Sequence, residues 1–226
     1  MELLNALLTS DPAAPRLTVY NETTGARLDF SATTLDNWAA KVGNMLVEEF
    51  DCEPGCRIAV DLPAGWQPVV IVLGALAAGI DWTIGIPDDV PEVVFTSPDR
   101  ITDDLVEGSD CDIALVTDDP MGRGVVETGG EVPDGLVDFG PTVRVYGDIY
   151  PAPTPRLDTL YPAGPDTPRS TPARVMSTGF TDTASLISTV LEPLAAGGSA
   201  VIVTGPTGAD RLETIAAEEN VTQILR

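Results

Sequence analysis

Arg57-Ile58-Ala59-Val60-Asp61-Leu62, then Gly65-Trp66-Gln67-Pro68-Val69-Val70-Ile71-Val72-Leu73-Gly74-Ala75-Leu76-Ala77-Ala78, then Trp82-Thr83-Ile84-Gly85-Ile86: these three segments decide how the chain folds. The outer two are short and rich in Ile, Val and Thr, as strands are. The apolar run from Val69 to Ile80 is too long for a strand and suits a buried helix, with Gly79 placed to close it in the left-handed region. A strand, a helix and a strand joined by such short links form a parallel crossover unit.

On the N-terminal side, Leu3, Leu4, Leu7 and Leu8 make a helical stripe that Asp11-Pro12 ends. Leu17 to Tyr20 and Arg27 to Phe30 read as two strands of a hairpin around a turn-rich Asn21 to Gly25. Ser31 offers an N-cap for a helix from about Thr33 to Phe50, whose Leu35, Trp38, Val42, Met45 and Leu46 share a face. On the C-terminal side, a strand at Val93 to Thr96, a helix at Asp99 to Gly108 and a strand at Asp112 to Thr117 continue the alternation. Residues 120–172 hold half of the prolines and many glycines, and read as an irregular excursion. Regular structure returns with a strand at Arg174 to Met176, a helix at Thr181 to Ala196, a strand at Ser199 to Val203, a helix at Gly208 to Glu219 and a strand at Val221 to Leu225. The expected fold is α/β, a mostly parallel sheet flanked by helices, in a single domain over 1–226 with the irregular segment at 120–172.

Composition narrows the chemistry. The 226 residues are 43% hydrophobic, enough for a packed core, and carry a net charge of −23 from 12 basic and 35 acidic residues. Nucleic acid and anionic membrane surfaces are both repelled by that field, so neither is an expected partner. Lys41 is the only lysine and histidine is absent, which excludes a His base, a His metal ligand and a Ser-His-Asp triad within this chain. Cys52, Cys56 and Cys111 do not make a disulfide framework, and Cys52 and Cys56, around Pro54-Gly55, read as turn and packing residues rather than zinc ligands. Met1 to Thr9 lacks a basic region and a long apolar stretch, so a cytoplasmic protein without a signal peptide is expected. No metal and no cofactor is implied.

Several motifs, in order, resemble the N-terminal domain of the adenylate-forming superfamily of acyl-CoA synthetases, luciferases and peptide-synthetase adenylation domains. Leu28-Asp29-Phe30-Ser31 resembles L-T-Y-x-E-L, and Glu53-Pro54-Gly55-Cys56-Arg57-Ile58-Ala59-Val60 resembles K-P-G-D-R-V-A-I. Leu62-Pro63-Ala64 resembles L-P-N, and Leu73-Gly74-Ala75-Leu76-Ala77-Ala78-Gly79 resembles L-G-x-L-x-A-G. Leu191-Glu192-Pro193-Leu194-Ala195-Ala196-Gly197-Gly198-Ser199-Ala200-Val201-Ile202-Val203 resembles P-L-x-x-G-A-x-V-V-L, and Glu218-Glu219-Asn220-Val221-Thr222 resembles E-x-x-V-T. The likeness covers about the first eighty and last fifty residues. It implies the family's α/β architecture. The family's phosphate loop, similar to T-S-G-T-T-G-x-P-K, is not found before Arg174, and residues 120–172 contain no Lys. The adenine-binding and ribose-binding motifs and the domain bearing the catalytic lysine would lie beyond Arg226, so no catalytic residue carries over. The order of segments also resembles a small actinobacterial group that keeps only this N-terminal half.

The remaining candidate site is Ser177-Thr178-Gly179-Phe180-Thr181, between a strand and a helix. Backbone N–H groups there can hold an anion, or Thr181 or Asp182 can simply cap the helix. The resemblance puts the acyl pocket near this segment, so Phe180 either lines an apolar groove or belongs to the core. Thr204-Gly205-Pro206-Thr207-Gly208 echoes a phosphate loop without its Lys and reads as a turn. Gly122-Arg123-Gly124 also reads as a turn, and the pairs Asp103-Asp104 and Asp118-Asp119 read as solvated carboxylates rather than a cation site. Three functions fit: a non-catalytic relic that binds a protein partner or serves as a structural module, a binder of an acyl or nucleoside ligand, and an AMP-forming ligase-like enzyme completed by another polypeptide. The last strand, Val221 to Leu225, is expected at a sheet edge covered by a homodimer or by residues of 120–172, and a homodimer or a protein partner is the expected association.

Overall fold

The computed structural model describes residues 1–89, 91–108, 110–162 and 172–225. The chain forms two compact units, the first comprising Met1, Asn37–Pro63 and Gln67–Thr154, the second Glu2–Asp36, Ala64–Trp66 and Pro155–Arg226.

The first unit is built on a parallel strand–helix–strand crossover. Strands β3 (Arg57–Asp61) and β4 (Asp81–Ile84) flank helix α3 (Trp66–Ala78) and pair in parallel, Ile58 beside Trp82. Strands β5 (Val93–Thr96), β6 (Asp112–Leu115) and β7 (Val137–Asp138) complete a five-stranded sheet in the order β4-β3-β5-β6-β7, parallel throughout. Parallel sheets are covered on both faces, which is why β3 and β5 are apolar at consecutive positions. Ala59 and Val94 pack with Leu105, Ile113, Leu115 and Val125. Phe95 meets Phe50 and Phe139 edge-on, with centroids 6.0 and 5.9 Å apart. Helix α4 (Asp103–Gly108) starts later than expected, because Ser97 to Ile101 turn first: the Ser97 carbonyl accepts from the N–H groups of Arg100 and Ile101. Helix α2 (Ala32–Glu48) meets α3 so closely at Gly74 that a Cβ there would lie 2.4 Å from Val42 Cγ1. The family-like L-G-x-L motif therefore marks a helix contact.

The excursion expected over 120–172 is more ordered than its composition suggests. It holds a 3₁₀ turn at Val126–Thr128, β7, helix α5 (Phe139–Val145) and helix α6 (Leu157–Leu160). Phe139 and Val143 are buried, and the Asp138 carboxylate accepts from the N–H groups of Val125 and Val126. Lys41 Nζ donates to the Tyr146 carbonyl at 2.6 Å, and Asn44 Nδ2 donates to the Gly147 and Ile149 carbonyls, each at 3.0 Å. Elements this short carry too few residues for a readable period. The part of the excursion at 163–171 lies outside the described residues.

The second unit joins segments from both ends of the chain. Strands β1 (Pro15–Asn21) and β2 (Ala26–Ser31) form the hairpin, after helix α1 (Asn5–Ser10). Strands β8 (Arg174–Ser177), β9 (Ser199–Thr204) and β10 (Gln223–Ile224) add in parallel, giving the order β10-β8-β9-β1-β2. Between β8 and β9 the helix expected at Thr181 to Ala196 runs as α7 (Thr183–Leu186), a π-helical stretch (Ile187–Leu191) and α8 (Glu192–Ala195). Pro193 accounts for the widened turn: it has no N–H for the carbonyl four residues back, and its ring crowds that carbonyl. Helix α9 (Ala209–Glu218) packs Ile215, Leu212 and Ala216 against Tyr20, Met176, Val201 and Val203. Asn220, with φ of 51°, turns the chain out of α9.

Candidate functional site

In the second unit the strand order reverses at β8. The connection from β8 leads to β9 on one side, and the connection from β9 leads to β10 on the other. Ligands of open α/β sheets bind outside the carboxyl ends of strands at such a reversal. Ser177, the first of the candidate residues, is the last residue of β8, paired with Ile202 of β9. Its side chain is 3% exposed, and its Oγ has no hydrogen-bond partner among the described residues. A buried hydroxyl without a partner is uncommon and costs stability, so it marks the spot where a polar group could be received.

The residues after Ser177 turn sharply. Gly179 has φ of +105°, which a side chain disfavours, and a Cβ there would lie 3.0 Å from the Ala64 methyl. Thr178 and Thr181 are exposed, while Phe180 is buried at 6% exposure. The donors ahead of the helix are already engaged. Asp182 and Ser185 form a capping box in which Ser185 N–H donates to Asp182 Oδ1 at 2.7 Å. Ser185 Oγ accepts from the N–H groups of Thr181 and Asp182, each at 3.1 Å. The bonds from Ser185 hold the Asp182 carboxyl below its usual range. This helix start thus carries its own negative charge and meets its own donors. Thr204 to Gly208 form the turn from β9 to α9, with Gly205 at φ +85°.

Sequence reasoning missed the polar centre of this unit. Glu219, 8% exposed, accepts from Tyr20 Oη at 2.7 Å and from Arg27 Nη2 at 2.7 Å, and pairs with Arg174. Burial pushes its carboxyl upward, but the bonds from Tyr20, Arg27 and Arg174 outweigh burial and leave it below the ordinary value. Arg174 also donates to Thr18 Oγ1 at 2.8 Å and Ser199 Oγ at 3.1 Å. The one sequence signal was Glu219 itself, an acidic residue in the E-x-x-V-T-like segment.

In the first unit the strand order reverses between β3 and β5. Asp61, at the end of β3, pairs with Arg100 at 2.7 Å. Asp119 is buried and accepts from Arg123 Nη2 at 2.7 Å and from the N–H groups of Met121 and Arg123. The Arg123 guanidinium, more than the opposing burial, holds its carboxyl below the usual range. The residues around Gly122-Arg123-Gly124 are thereby a turn held by Asp119.

Basic groups are the scarce resource for any phosphate chemistry, and the described ones are engaged. Lys41 pairs with Asp148, Arg57 with Asp89, Arg144 with Glu127, Arg156 with Asp158 and Arg211 with Glu22. Arg27 and Arg174 meet at Glu219, Arg100 holds Asp61 and Arg123 holds Asp119. Arg16 donates to the Gly197 and Gly198 carbonyls and to Ser10 Oγ. No helix among the described residues is long and apolar enough to cross a membrane.

The architecture is shared with larger proteins. A Brucella canis acyl-CoA synthetase superposes with a TM-score of 0.72 at 16% identity, covering 99% of this chain and 47% of that one. A benzoate CoA ligase from Burkholderia xenovorans LB400 gives 0.67 at 14% identity, and an acetoacetyl-CoA synthetase from Streptomyces lividans gives 0.67 at 19%. The chain spans 48% and 41% of these two, so it has the fold of about half of such a synthetase. No family model matches the chain. A protein of Mycobacterium tuberculosis described as a TIGR03089 family protein is 35% identical over 244 aligned residues, covering 99% of this chain and 96% of that protein. With a relative this similar along nearly the whole of both chains, this acidic α/β protein belongs to the TIGR03089 family.

Proposed function

We propose that the chain is a non-catalytic, acyl-CoA-synthetase-like module, a pseudoenzyme in the adenylation reaction, that acts by binding. The observation that carries this reading is the engagement of every described basic side chain with a carboxylate or carbonyl of the chain itself. ATP brings several negative charges, and a site must offset their desolvation with Lys, Arg, Mg²⁺ or a cluster of backbone N–H groups. Here an incoming phosphate would have to displace a carboxylate and leave it nearby, within a field of −23. The helix start after β8 is likewise occupied by Asp182. Pyrophosphate release from Mg-ATP with a panel of carboxylic acids is expected to stay at background, and calorimetry is expected to show no micromolar ATP binding. Pyrophosphate release by the pure protein, abolished in Lys41→Met, would overturn the proposal.

A second reading has its own observation. Ser177 Oγ, buried and without a partner among the described residues, at the strand reversal just ahead of the turn at Gly179, supports a small acyl ligand with one polar group. A thermal-shift panel of fatty acids and acyl-CoAs tests it: stabilisation by one class that is lost in Ser177→Ala supports the reading, and a flat panel rejects it.

A further inference from the structure

We propose that Cys52 and Cys56 are a reversible thiol pair that a peroxide closes into a disulfide. The two residues flank the turn Glu53-Pro54-Gly55 that leads from α2 into β3. The turn is tightly specified: Cys56 N–H donates to the Glu53 carbonyl at 2.9 Å, Cys52 N–H donates to the Leu46 carbonyl at 3.0 Å, and Gly55 has φ of +101°. It brings the two Sγ atoms to 2.6 Å. A disulfide needs about 2.05 Å between sulfurs, so the bond forms with a small movement inside a turn already closed by backbone hydrogen bonds.

The two thiols differ in a way that assigns their roles. Cys52 is buried and Cys56 is half-buried, so Cys56 is the sulfur a small oxidant reaches. Burial first, then the contact with Cys56 and the nearby carboxylates of Glu92 and Asp112, push the Cys52 thiol upward, so it stays a thiol while Cys56 meets the oxidant. The charge of the protein selects the oxidant. An anionic disulfide is repelled by a field of −23, whereas hydrogen peroxide is neutral and small. The Cys56 sulfur attacks one oxygen of the peroxide, the O–O bond breaks, and the departing hydroxide takes the proton of the Cys56 thiol to become water. Cys56 is then a sulfenic acid. Cys52 sulfur attacks it, the S–O bond breaks, and a second water leaves with the Cys52 proton. Two thiols are oxidised by two electrons in all, and one peroxide is reduced to two waters. A dithiol reverses the step by exchange.

The test uses the intact chain. It is exposed to hydrogen peroxide, quenched, denatured, alkylated and weighed. One alkylated cysteine in place of three, with a mass lower by two hydrogens and full recovery of three after dithiothreitol, is the expected result. Cys111→Ser should lose two alkylation sites just as the parent does. Cys56→Ser should lose none, and Cys52→Ser should leave Cys56 as a sulfenic acid that dimedone traps. Should Cys52→Ser fail to fold, Cys56→Ser at the half-buried position decides alone. Three alkylatable cysteines after peroxide, a linkage that includes Cys111, or sulfinic acid on Cys56 without a disulfide would each overturn the proposal.

Discussion

The two units reach the same kind of sheet by different means. In the first, the parallel sheet and its helices are held by apolar fit: α2 and α3 touch backbone to side chain at Gly74, and Phe95 is clasped by Phe50 and Phe139. In the second, a hairpin from one end of the chain and three strands from the other are tied at Glu219, where Tyr20, Arg27 and Arg174 converge. The difference teaches how separate parts of a chain are registered. Apolar contact rewards any good fit, whereas a buried carboxylate is satisfied only by its own partners.

That contrast can be broken by mutation. Glu219→Ala should have the largest effect, about 3 kcal/mol of lost stability in a urea melt, because it strands two guanidinium groups, the Arg174 one largely shielded from solvent. The value sits at the low end of the range for buried pairs because Arg27 is 44% exposed. The same group sets a pH dependence. Its folded carboxyl lies below the ordinary 4.5, so its contribution is full above that value and is lost as pH falls through the folded value. Tyr20, raised above 10 by burial and then by its bond to Glu219, contributes fully below 10 and loses its contribution as pH rises further. Peptide-resolved hydrogen exchange should therefore show β1 and β8 losing protection in acid before β3 and β5 do. Simultaneous loss in both units would mean that Glu219 does not hold the second unit separately.

Gly74→Ala comes next, at about 1–3 kcal/mol, since the added methyl must move Val42 inside a packed contact. Its effect should stay the same as pH falls below 4.5, where that of Glu219→Ala shrinks, which separates the two. Asn44→Ala should cost about 1–2 kcal/mol, from leaving the Gly147 and Ile149 carbonyls without their donor. Increased protease sensitivity confined to residues 140–150 would locate that effect. Arg156→Ala, removing an exposed pair with Asp158, should leave the urea midpoint unchanged.

Much of the fold was legible because its strands and helices have distinct lengths and periods. The strands at Arg57 and Trp82, the long helix before them and the returning β8 to β10 series all lie within a few residues of their expected places. Helix starts were less legible. Asp99 carries an apparent start for α4, but the chain first turns around the Ser97 carbonyl, a backbone preference that side-chain pattern does not report. The candidate segment at Ser177 was found from its hydroxyls and glycine at a strand-to-helix junction. That the Ser177 hydroxyl has no partner among the described residues was not legible, because it depends on the burial of Ser177 where β8 pairs with β9.

The sequence by itself determined that this is an α/β chain, that the absence of histidine excludes a His base and a Ser-His-Asp triad within it, and that its motifs run in the order of an acyl-CoA synthetase domain. Composition and periodicity are local properties and can be read residue by residue. Only the tertiary structure decided which carboxylate each arginine holds, that Tyr20, Arg27, Arg174 and Glu219 meet, and that Cys52 faces Cys56. Those outcomes depend on where chain segments as far apart as 199 positions are brought together, and the free energy of a buried charge or a close contact exists only once they are.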